Sequence, residues 1–307
     1  MQNIKSKPLN IEKKRTKHLK LRKNLMGWWF ILIPTLLIFT FSFYPMIQSF
    51  ILSFQSGKGM VSEFCGINNY IRLFSDPMFL QAVSNTFLYL IIQVPIMLIL
   101  GLVIANLLNS PKLKMRGFYR TAIFLPCVTS LVAYSILFKS IFALDGVVNN
   151  FLMALHIIQE PISWLLDPLW AKIVIIIAIT WRWTGYNMIF YLAGMQNIDS
   201  SVYEAAEIDG ATKFQQFTKI TIPLLKPIIL LTTIMSTNGT LQLFDEAMNI
   251  TSGGPGNATM TISQYIYNLS FVYTPNFGYA ATVSYAIVFM VAILAIIQFK
   301  VAGDKND

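Results

Sequence analysis

Long apolar runs alternate with short polar stretches along the sequence. Each apolar run has about the length, roughly 20 residues, that an α-helix needs to cross the hydrocarbon core of a membrane. The pattern therefore predicts six transmembrane helices. They lie at residues 26–50, 81–108, 119–142, 170–196, 225–248 and 276–299.

The polar stretches between these helices divide the chain into parts. The expected order is a basic tail at 1–25, the first helix at 26–50, an outer connection at 51–80, a core domain at 81–298 with a polar loop at 201–227, and a tail at 299–307. A further loop at 143–169 has room for one amphipathic helix along the membrane surface. This loop is too short to form a folded domain. A recognition domain outside the membrane would therefore belong to another polypeptide.

Composition and charge agree with an all-α integral membrane protein. Hydrophobic residues make up 55% of the chain and charged residues 12%, against about 25% charged residues in soluble domains. Eighteen of the 23 Lys and Arg residues fall at the termini and in the stretches after the second and fourth helices. The positive-inside rule makes that side cytoplasmic, so both termini are expected in the cytoplasm of a multi-pass cell-membrane protein. A basic tail next to a membrane helix favours anionic lipid headgroups over nucleic acid.

The polar loop at 201–227 carries small, acidic and proline residues at a defined spacing, namely Glu204, Ala205, Ala206, Asp209, Gly210, Ile220 and Pro223. This set resembles the cytoplasmic EAA loop of ATP-binding-cassette (ABC) importer permeases, and the resemblance extends over roughly residues 80–298. Two positions depart from the family pattern. Ile222 stands where leucine is usual, and Ile198-Asp199 stands where sugar permeases usually have Ile-Pro.

A short helix is expected over Ser201–Ile208, followed by a turn at Gly210, where the absence of a Cβ helps the backbone. A second short helix is expected over Ala211–Ile220, ended by Pro223. The family resemblance implies that this pair of helices docks on an ATPase subunit. Glu204 would then pair with a basic residue of that subunit. The alternative is a solvated amphipathic loop without a partner.

Three further segments resemble carbohydrate permeases in particular, namely residues 66–70, 120–126 and 251–255. The resemblance implies a type I ABC importer permease fold similar to the maltose-transporter family. The expected partners are a second homologous permease that forms a heterodimer with this chain, two ATP-binding subunits and an extracytoplasmic sugar-binding protein. No cofactor is expected in this chain, because ATP and Mg²⁺ would bind the ATPase subunits. Pro126, within the third helix, is interpreted as a structural kink in preference to a functional hinge.

Arg182 is the one charged residue well inside a predicted helix. Such a residue either faces a cavity or bonds to backbone carbonyls or headgroups, and the sequence leaves these alternatives open. Aromatic side chains beside it are suited to stacking on sugars, and polar residues of the fifth helix are suited to hydrogen-bonding sugar hydroxyls, although they also join helices. The candidate pathway residues are Arg182, Trp183, Tyr186, Asn187, Ser236, Asn238, Gly239, Thr240 and Gln242.

A membrane-embedded enzyme and an ion-coupled secondary transporter are the two alternatives to a permease. His18 and His156 lie in separate polar stretches, and the sequence has no Gly-rich phosphate loop, so neither a catalytic cluster nor ATP hydrolysis is expected in this chain. An ion-coupled secondary transporter would need acidic residues within the membrane. Asp245 and Glu246, near the end of the fifth predicted helix, are the candidates for that role.

Overall fold

A computed structural model describes residues 26–57, 63–110 and 112–302. The predicted tail at 1–25 and most of the predicted tail at 299–307 lie outside these residues. The helices, numbered in chain order, are α1 Met26–Ser53, α2 Asn68–Leu73, α3 Pro77–Asn109, α4 Arg116–Val128, α5 Leu131–Ile141, α6 Val147–Ala154, α7 Pro168–Gln196, α8 Ser200–Ile208, α9 Lys213–Leu224, α10 Lys226–Leu241, the π-helical α11 Ala247–Thr251, α12 Ile262–Tyr267 with a π-helical continuation at Asn268–Val272, and α13 Phe277–Ala302.

Four of these helices, α1, α3, α7 and α13, are each long and apolar enough to cross a membrane. Two sharply bent pairs, α4 with α5 and α9 with α10, meet the same criterion when each pair is taken together. The described chain therefore contains up to six spans. This count agrees with the six helices predicted from the apolar runs.

The third span is broken where a continuous helix was predicted over 119–142. The axes of α4 and α5 differ by 99°, and the bend falls at residues 129–130. Pro126 lies inside the last turn of α4. A proline kink alone leaves a helix continuous, so the prediction of one kinked helix is wrong. The side chain that stabilises the break comes from α7 and is described with the site below.

The fifth span also differs from its prediction over 225–248. Helix α10 ends at Leu241, and the next helical turns lead into α11. Pro223 does not end the preceding helix, because α9 continues to Leu224 and bends by 69° into α10. The turn before Pro223 is π-helical over Phe217–Thr221. Such a turn changes the hydrogen-bond register and so accommodates a residue that has no N–H to donate.

Helices α3 and α7 pack along each other, and the cluster around Ala105, Met188 and Tyr191 is buried between them. Helix α4 contacts α7 where α7 has Gly185, and a Cβ there would lie 2.1 Å from the carbonyl oxygen of Ile123. Glycine is therefore required for this close approach. Helix α1 packs on α13 instead, where the Tyr285 hydroxyl donates to the carbonyl oxygen of Met46 at 2.6 Å.

The connection at 51–80 contains one element that the all-α prediction lacked. Strand β1, Gln55–Ser56, pairs antiparallel with β2, Glu63–Phe64, so that Gln55 lies opposite Phe64 and Ser56 opposite Glu63. Asp76 ends this connection and caps α3 by accepting from the backbone N–H groups of Met78 and Phe79.

The carboxylate of Asp76 also joins α3 to two later helices. Its Oδ2 atom accepts from the Tyr265 and Tyr279 hydroxyls, each at 2.6 Å. Tyr265 belongs to α12 and Tyr279 to α13. One carboxylate therefore holds together the adjoining ends of three helices, because each of its hydrogen bonds is charge-assisted.

The predicted helix of the 143–169 loop is α6. The loop is organised around Asn149, which is fully buried. Its side-chain nitrogen donates to the carbonyl oxygens of residues 143, 144 and 162, and its oxygen accepts from the indole N–H of Trp164 at 2.8 Å. These hydrogen bonds hold the loop in a defined fold at the end of α5.

Candidate functional site

A cavity of about 510 Å³ lies where α3, α7 and α10 meet, beside the break after Leu241. Its wall combines aromatic, amide, hydroxyl and carboxylate groups with apolar side chains. The lining residues are Gln93, Met97, Leu131, Ile179, Trp183, Tyr186, Asn187, Met235, Ser236, Gly239, Thr240, Gln242, Leu243, Phe244, Asp245 and Glu246.

The structure brings seven of the nine predicted pathway residues together around this cavity. They are Trp183, Tyr186, Asn187, Ser236, Gly239, Thr240 and Gln242. The rings of Trp183 and Tyr186 meet edge to face, with centroids 5.8 Å apart, and form an aromatic corner. Beyond the backbone of α10 itself, no atom of the described residues lies within 4 Å of the position that a Cβ on Gly239 would occupy, so the space beside α10 is open at this point.

Arg182 is not among the lining residues. Its side chain is 5% exposed and donates from Nη1 to the carbonyl oxygen of Pro126 at 3.2 Å and from Nη2 to that of Cys127 at 3.3 Å. These carbonyls belong to the last turn of α4, which has no further helix to supply donors. The Arg182 guanidinium therefore closes the end of α4 and stabilises the break in the third span.

Asn238 also lies outside the lining. It sits in the last turn of α10, where its Oδ1 atom accepts from the Gln242 Nε2 atom at 2.7 Å. Asn238 thus orients a lining residue across the end of the helix.

Sequence reasoning did not select several lining residues, and Gln93 is a polar one among them. This side chain is fully buried within α3, and its Oε1 atom accepts from the Thr240 hydroxyl at 3.3 Å. A glutamine inside an apolar helix was the available signal. The others not proposed for the pathway are Met97, Leu131, Ile179, Met235, Leu243, Phe244, Asp245 and Glu246.

The polar loop at 201–227 forms two helices, α8 and α9, at one end of the bundle. Asp199, which stands in place of the family's proline, caps α8 by accepting from the Ser201 backbone N–H at 2.9 Å. That hydrogen bond holds the pKa of Asp199 below its ordinary value. Helix α8 therefore has a defined start at Ser200 despite the departure from the family pattern.

The turn between α8 and α9 is held by local contacts. Gly210 has φ +79°, a left-handed conformation that favours glycine. Glu207 pairs with Lys213 across the turn, and the hydrogen bond from Lys213 lowers the pKa of Glu207. Thr212 forms a reciprocal capping box with Gln215 at the start of α9. Each contact lies within the loop, so the loop keeps its shape without a partner.

The predicted docking residues differ in exposure. Glu204, Ala205, Asp209, Gly210 and Pro223 are exposed, and Ile220 is half-buried. Ala206 is buried in this chain, so it is not available on the outer surface beside Ala205. Two apolar side chains that the sequence reasoning missed, Ile208 and Phe214, are 87% and 74% exposed. Large apolar side chains in an otherwise polar loop were the signal for them.

The chain forms a bundle of up to six spans around a polar cavity, and one of the two bent spans bends beside that cavity. Together with the exposed helix pair at one end, this arrangement defines a multi-pass membrane permease. The chain belongs to the family of binding-protein-dependent transport system inner membrane components, whose model matches residues 77–302. The family resemblance predicted from the polar loop is therefore confirmed.

Named relatives agree with this assignment. The chain is 58% identical to the lactose transport system permease protein LacF of Rhizobium radiobacter, over 94% of this chain and 97% of the relative. It is 35% identical to the arabinooligosaccharides transport system permease protein AraP of Halalkalibacterium halodurans, over 77% of this chain and 75% of the relative. These relatives give no support to an ion-coupled carrier.

Solved structures show the same fold. A chain of a bacterial ABC transporter involved in the import of the acidic polysaccharide alginate matches with a TM-score of 0.80 at 23% identity, covering 94% of this chain and 100% of that chain. A chain of the bacterial alginate ABC transporter in complex with alginate pentasaccharide-bound periplasmic protein matches with a TM-score of 0.75 at 25% identity. The match covers 92% of this chain and 96% of that chain. The predicted type I importer permease fold is therefore confirmed.

Proposed function

We propose that this chain is one of two membrane subunits of an ATP-driven carbohydrate importer and forms half of the translocation pathway. The observation that carries the proposal is its 58% identity to a lactose permease over nearly the whole length of both chains. Lactose is accordingly the first candidate substrate, within a class of oligosaccharides and related carbohydrates.

The chain works with partners in this proposal. A second homologous permease completes the pathway, two ATP-binding subunits hydrolyse ATP with Mg²⁺, and an extracytoplasmic protein delivers the sugar. The sugar-binding partner is supported by the family description and by the alginate transporter solved with its periplasmic protein. The ATPase subunits are supported by the exposed acidic and apolar residues of α8 and α9.

The cavity supplies the chemistry that a sugar needs on its passage. The aromatic corner of Trp183 and Tyr186 offers a surface for the apolar C–H face of a pyranose ring. The amide of Asn187 and the hydroxyls of Ser236 and Thr240 offer hydrogen bonds in place of the water that the sugar loses. Arg182 and Asn238 position these elements and do not contact the sugar.

Coupling to ATP hydrolysis runs through α8 and α9. Glu204 is exposed on α8 and has no ion-pair partner in the described chain, so its carboxylate is available to a basic residue of the ATPase subunit. Ile208 and Phe214 add apolar area to the same surface. Because the turn at Gly210 is held by its own contacts, displacement of the loop is passed on to α10, which lines the cavity.

Orientation follows from the basic residues. Both termini and the helix pair α8–α9 lie in the cytoplasm, and the 143–169 loop lies outside. Tags at residue 2, near 113, near 213 and at 307 should report the cytoplasm, and tags near 60, 155 and 257 the outside. A cytoplasmic signal from the tag near 155 would contradict the six-span arrangement.

The test is lactose uptake by proteoliposomes that contain the complete transporter, its binding protein and internal ATP. We expect uptake that depends on ATP hydrolysis and is insensitive to ionophores. Glu204→Lys should abolish uptake while the complex remains in the membrane, because the reversed charge repels the basic partner residue. Glu63→Lys is the matched control, because it makes the same charge reversal on the exposed strand β2, away from α8 and α9. Uptake at the unmodified rate in Glu204→Lys would refute the coupling role.

A further inference from the structure

Residues 112–120 carry a run of positive charge at the end of the bundle where α3 ends and α4 begins. The basic residues are Lys112, Lys114, Arg116 and Arg120. The sequence has no Asp or Glu between Asp76 and Asp145. Glu207 of α8 interacts electrostatically with Lys112, so this basic segment lies at the same end of the bundle as the α8–α9 loop.

Most side chains of the basic segment have no acceptor within the described residues. Lys112 and Lys114 are exposed and Arg116 is half-buried, and none of these three side chains forms a hydrogen bond or an ion pair there. Arg120, one turn further along α4, donates from Nη2 to the carbonyl oxygen of Leu108 at 3.5 Å. That contact ties the start of α4 to the end of α3, and it leaves three cations available to an anion from outside the chain.

The apolar residues of α4 set the basic segment at the depth of the lipid headgroups. Phe118, Leu125 and Val128 are 62%, 54% and 64% exposed and lie on one face of the helix, which acyl chains solvate in a membrane. The ring of Tyr119 packs edge to face on that of Phe118, with centroids 5.8 Å apart. Aromatic rings favour the boundary between acyl chains and headgroups. The basic residues at the start of the same helix therefore lie level with the lipid phosphates.

An anionic phospholipid fits this surface better than the ATPase subunit does. The proposed docking surface on α8 presents the carboxylate of Glu204 to a basic residue of that subunit, and the cations of residues 112–120 would repel such a residue. A phosphate group accepts hydrogen bonds from Lys and Arg, and it can accept two in parallel from one guanidinium. Clustered cations beside the cytoplasmic end of a membrane helix are typical of surfaces that bind anionic headgroups.

We propose that residues 112–120 bind the phosphate headgroup of an anionic phospholipid in the cytoplasmic leaflet. This inference rests on the proposed cytoplasmic position of α8 and α9, because the basic segment lies at their end of the bundle. It adds a lipid partner at a defined position to the protein partners of the proposed importer.

The experiment titrates the complete transporter in detergent with phosphatidylglycerol and counts the bound lipid by native mass spectrometry. Lys114→Gln/Arg116→Gln removes two charges that have no partner within the described residues. Lys139→Gln/Lys172→Gln is the matched control, because it removes two charges at the opposite end of α5 and α7 from α8 and α9. Each cation near an anionic lipid surface is worth about a factor of five in affinity. We expect the dissociation constant of the tightest-bound phosphatidylglycerol to rise roughly 25-fold in the first variant and to stay unchanged in the control.

Further measurements separate a lipid headgroup from other partners. Lys114→Arg/Arg116→Lys keeps both charges and should keep the affinity. Phosphatidylcholine and inorganic phosphate should not displace phosphatidylglycerol, because the first has no net charge and the second has no acyl chains. Equal affinity in the unmodified protein and in Lys114→Gln/Arg116→Gln would overturn the inference, as would displacement of the lipid by inorganic phosphate at the same concentration. Loss of the ATP-binding subunits from that variant, with unchanged lipid affinity, would assign the surface to those subunits instead.

The lipid titration needs no transport, so a negative result leaves the proposed function standing. A tag near 113 that reports the outside would overturn the proposed orientation and, with it, the assignment of the lipid to the cytoplasmic leaflet. Failure of the unmodified complex to import any sugar with ATP would overturn the proposed function without changing the measured affinity for the lipid.

Discussion

The Nη1 atom of Arg182 lies 3.2 Å from the carbonyl oxygen of Pro126, at the point where the third span turns by 99°. A side chain of the fourth span thus stabilises the break in the third. Because the α5 side of that break contributes Leu131 to the cavity wall, the hydrogen bond fixes the shape of the candidate pathway from outside it.

Replacing Arg182 should destabilise the protein more than it changes sugar preference. Arg182→Met leaves the Cys127 carbonyl oxygen without its guanidinium donor, at about 1–3 kcal/mol for an unsatisfied buried group. The Pro126 carbonyl oxygen keeps the Thr129 hydroxyl as a donor at 2.7 Å. We expect the melting temperature of the purified complex to fall by several degrees. The melting temperature of Arg182→Lys should lie between those of the unmodified protein and Arg182→Met, since an ammonium lacks the planar set of donors of a guanidinium. An unchanged melting temperature together with altered sugar preference would instead place Arg182 in contact with the substrate.

Two glycines of α7 should differ in their tolerance of alanine. A Cβ at Gly185 would lie 2.1 Å from the Ile123 carbonyl oxygen, which is backbone, whereas one at Gly194 would meet the ends of the Ile228 and Leu225 side chains. Flexible side chains can move aside and a packed backbone cannot. Gly185→Ala should therefore reduce the amount of assembled complex severely and Gly194→Ala only mildly, as measured by size-exclusion chromatography of the solubilised protein. Equal yields would contradict the close approach of α4 and α7.

Bulk at Gly239 should block transport without harming assembly. A Cβ at this position would meet open space, and Gly239 lines the cavity, so Gly239→Trp should place its added bulk in the cavity. We expect lactose uptake to be lost while the yield of complex and sugar capture by the separate binding protein stay unchanged. Gly27→Trp is the control, because it adds the same side chain in open space outside the cavity. Normal uptake in Gly239→Trp would remove α10 from the pathway.

The hydrogen bonds to Asp76 should make stability depend on pH. Burial opposes its charged form, but the hydrogen bonds from Tyr265, Tyr279 and the backbone N–H groups outweigh that effect and hold the pKa of Asp76 below its ordinary value. A carboxyl whose pKa is lowered by folding stabilises the protein above its unfolded pKa of about 3.9 and loses that contribution as the pH falls through the folded value.

The variant Asp76→Asn keeps the shape of the side chain and removes its charge. At pH 7 it should be less stable than the unmodified protein by about 1–2 kcal/mol, because the hydrogen bonds to this side chain are no longer charge-assisted. The two melting temperatures should converge as the pH falls from about 5 to below about 4. A difference that does not change over this range would contradict an ionised Asp76.

The apolar pattern predicts where the spans lie, because membrane thickness imposes their length. It misses the breaks, because these depend on contacts between distant residues. Arg182 and the Pro126 carbonyl are 56 residues apart in sequence, and Gln93 and Thr240 are 147 apart. The spacing of residues within one helix gives no indication of contacts between residues so far apart in sequence. Six of the seven predicted lining residues could be found from sequence because polar and aromatic side chains stand out inside apolar helices, whereas Met97, Ile179 and Met235 look like ordinary membrane residues.

Helix α1 contacts the rest of the chain along one side only, and Ser53 is its one buried residue in the described part of the molecule. Its outer surface is solvated by acyl chains in the bilayer and by detergent after extraction. A short-chain detergent should therefore loosen α1 before it disturbs the cavity, while a long-chain one should retain it. The detergent used for extraction therefore decides whether α1 stays packed on α13. A fluorophore on α1 would report whether a preparation has kept this contact, and it would lie outside the cavity.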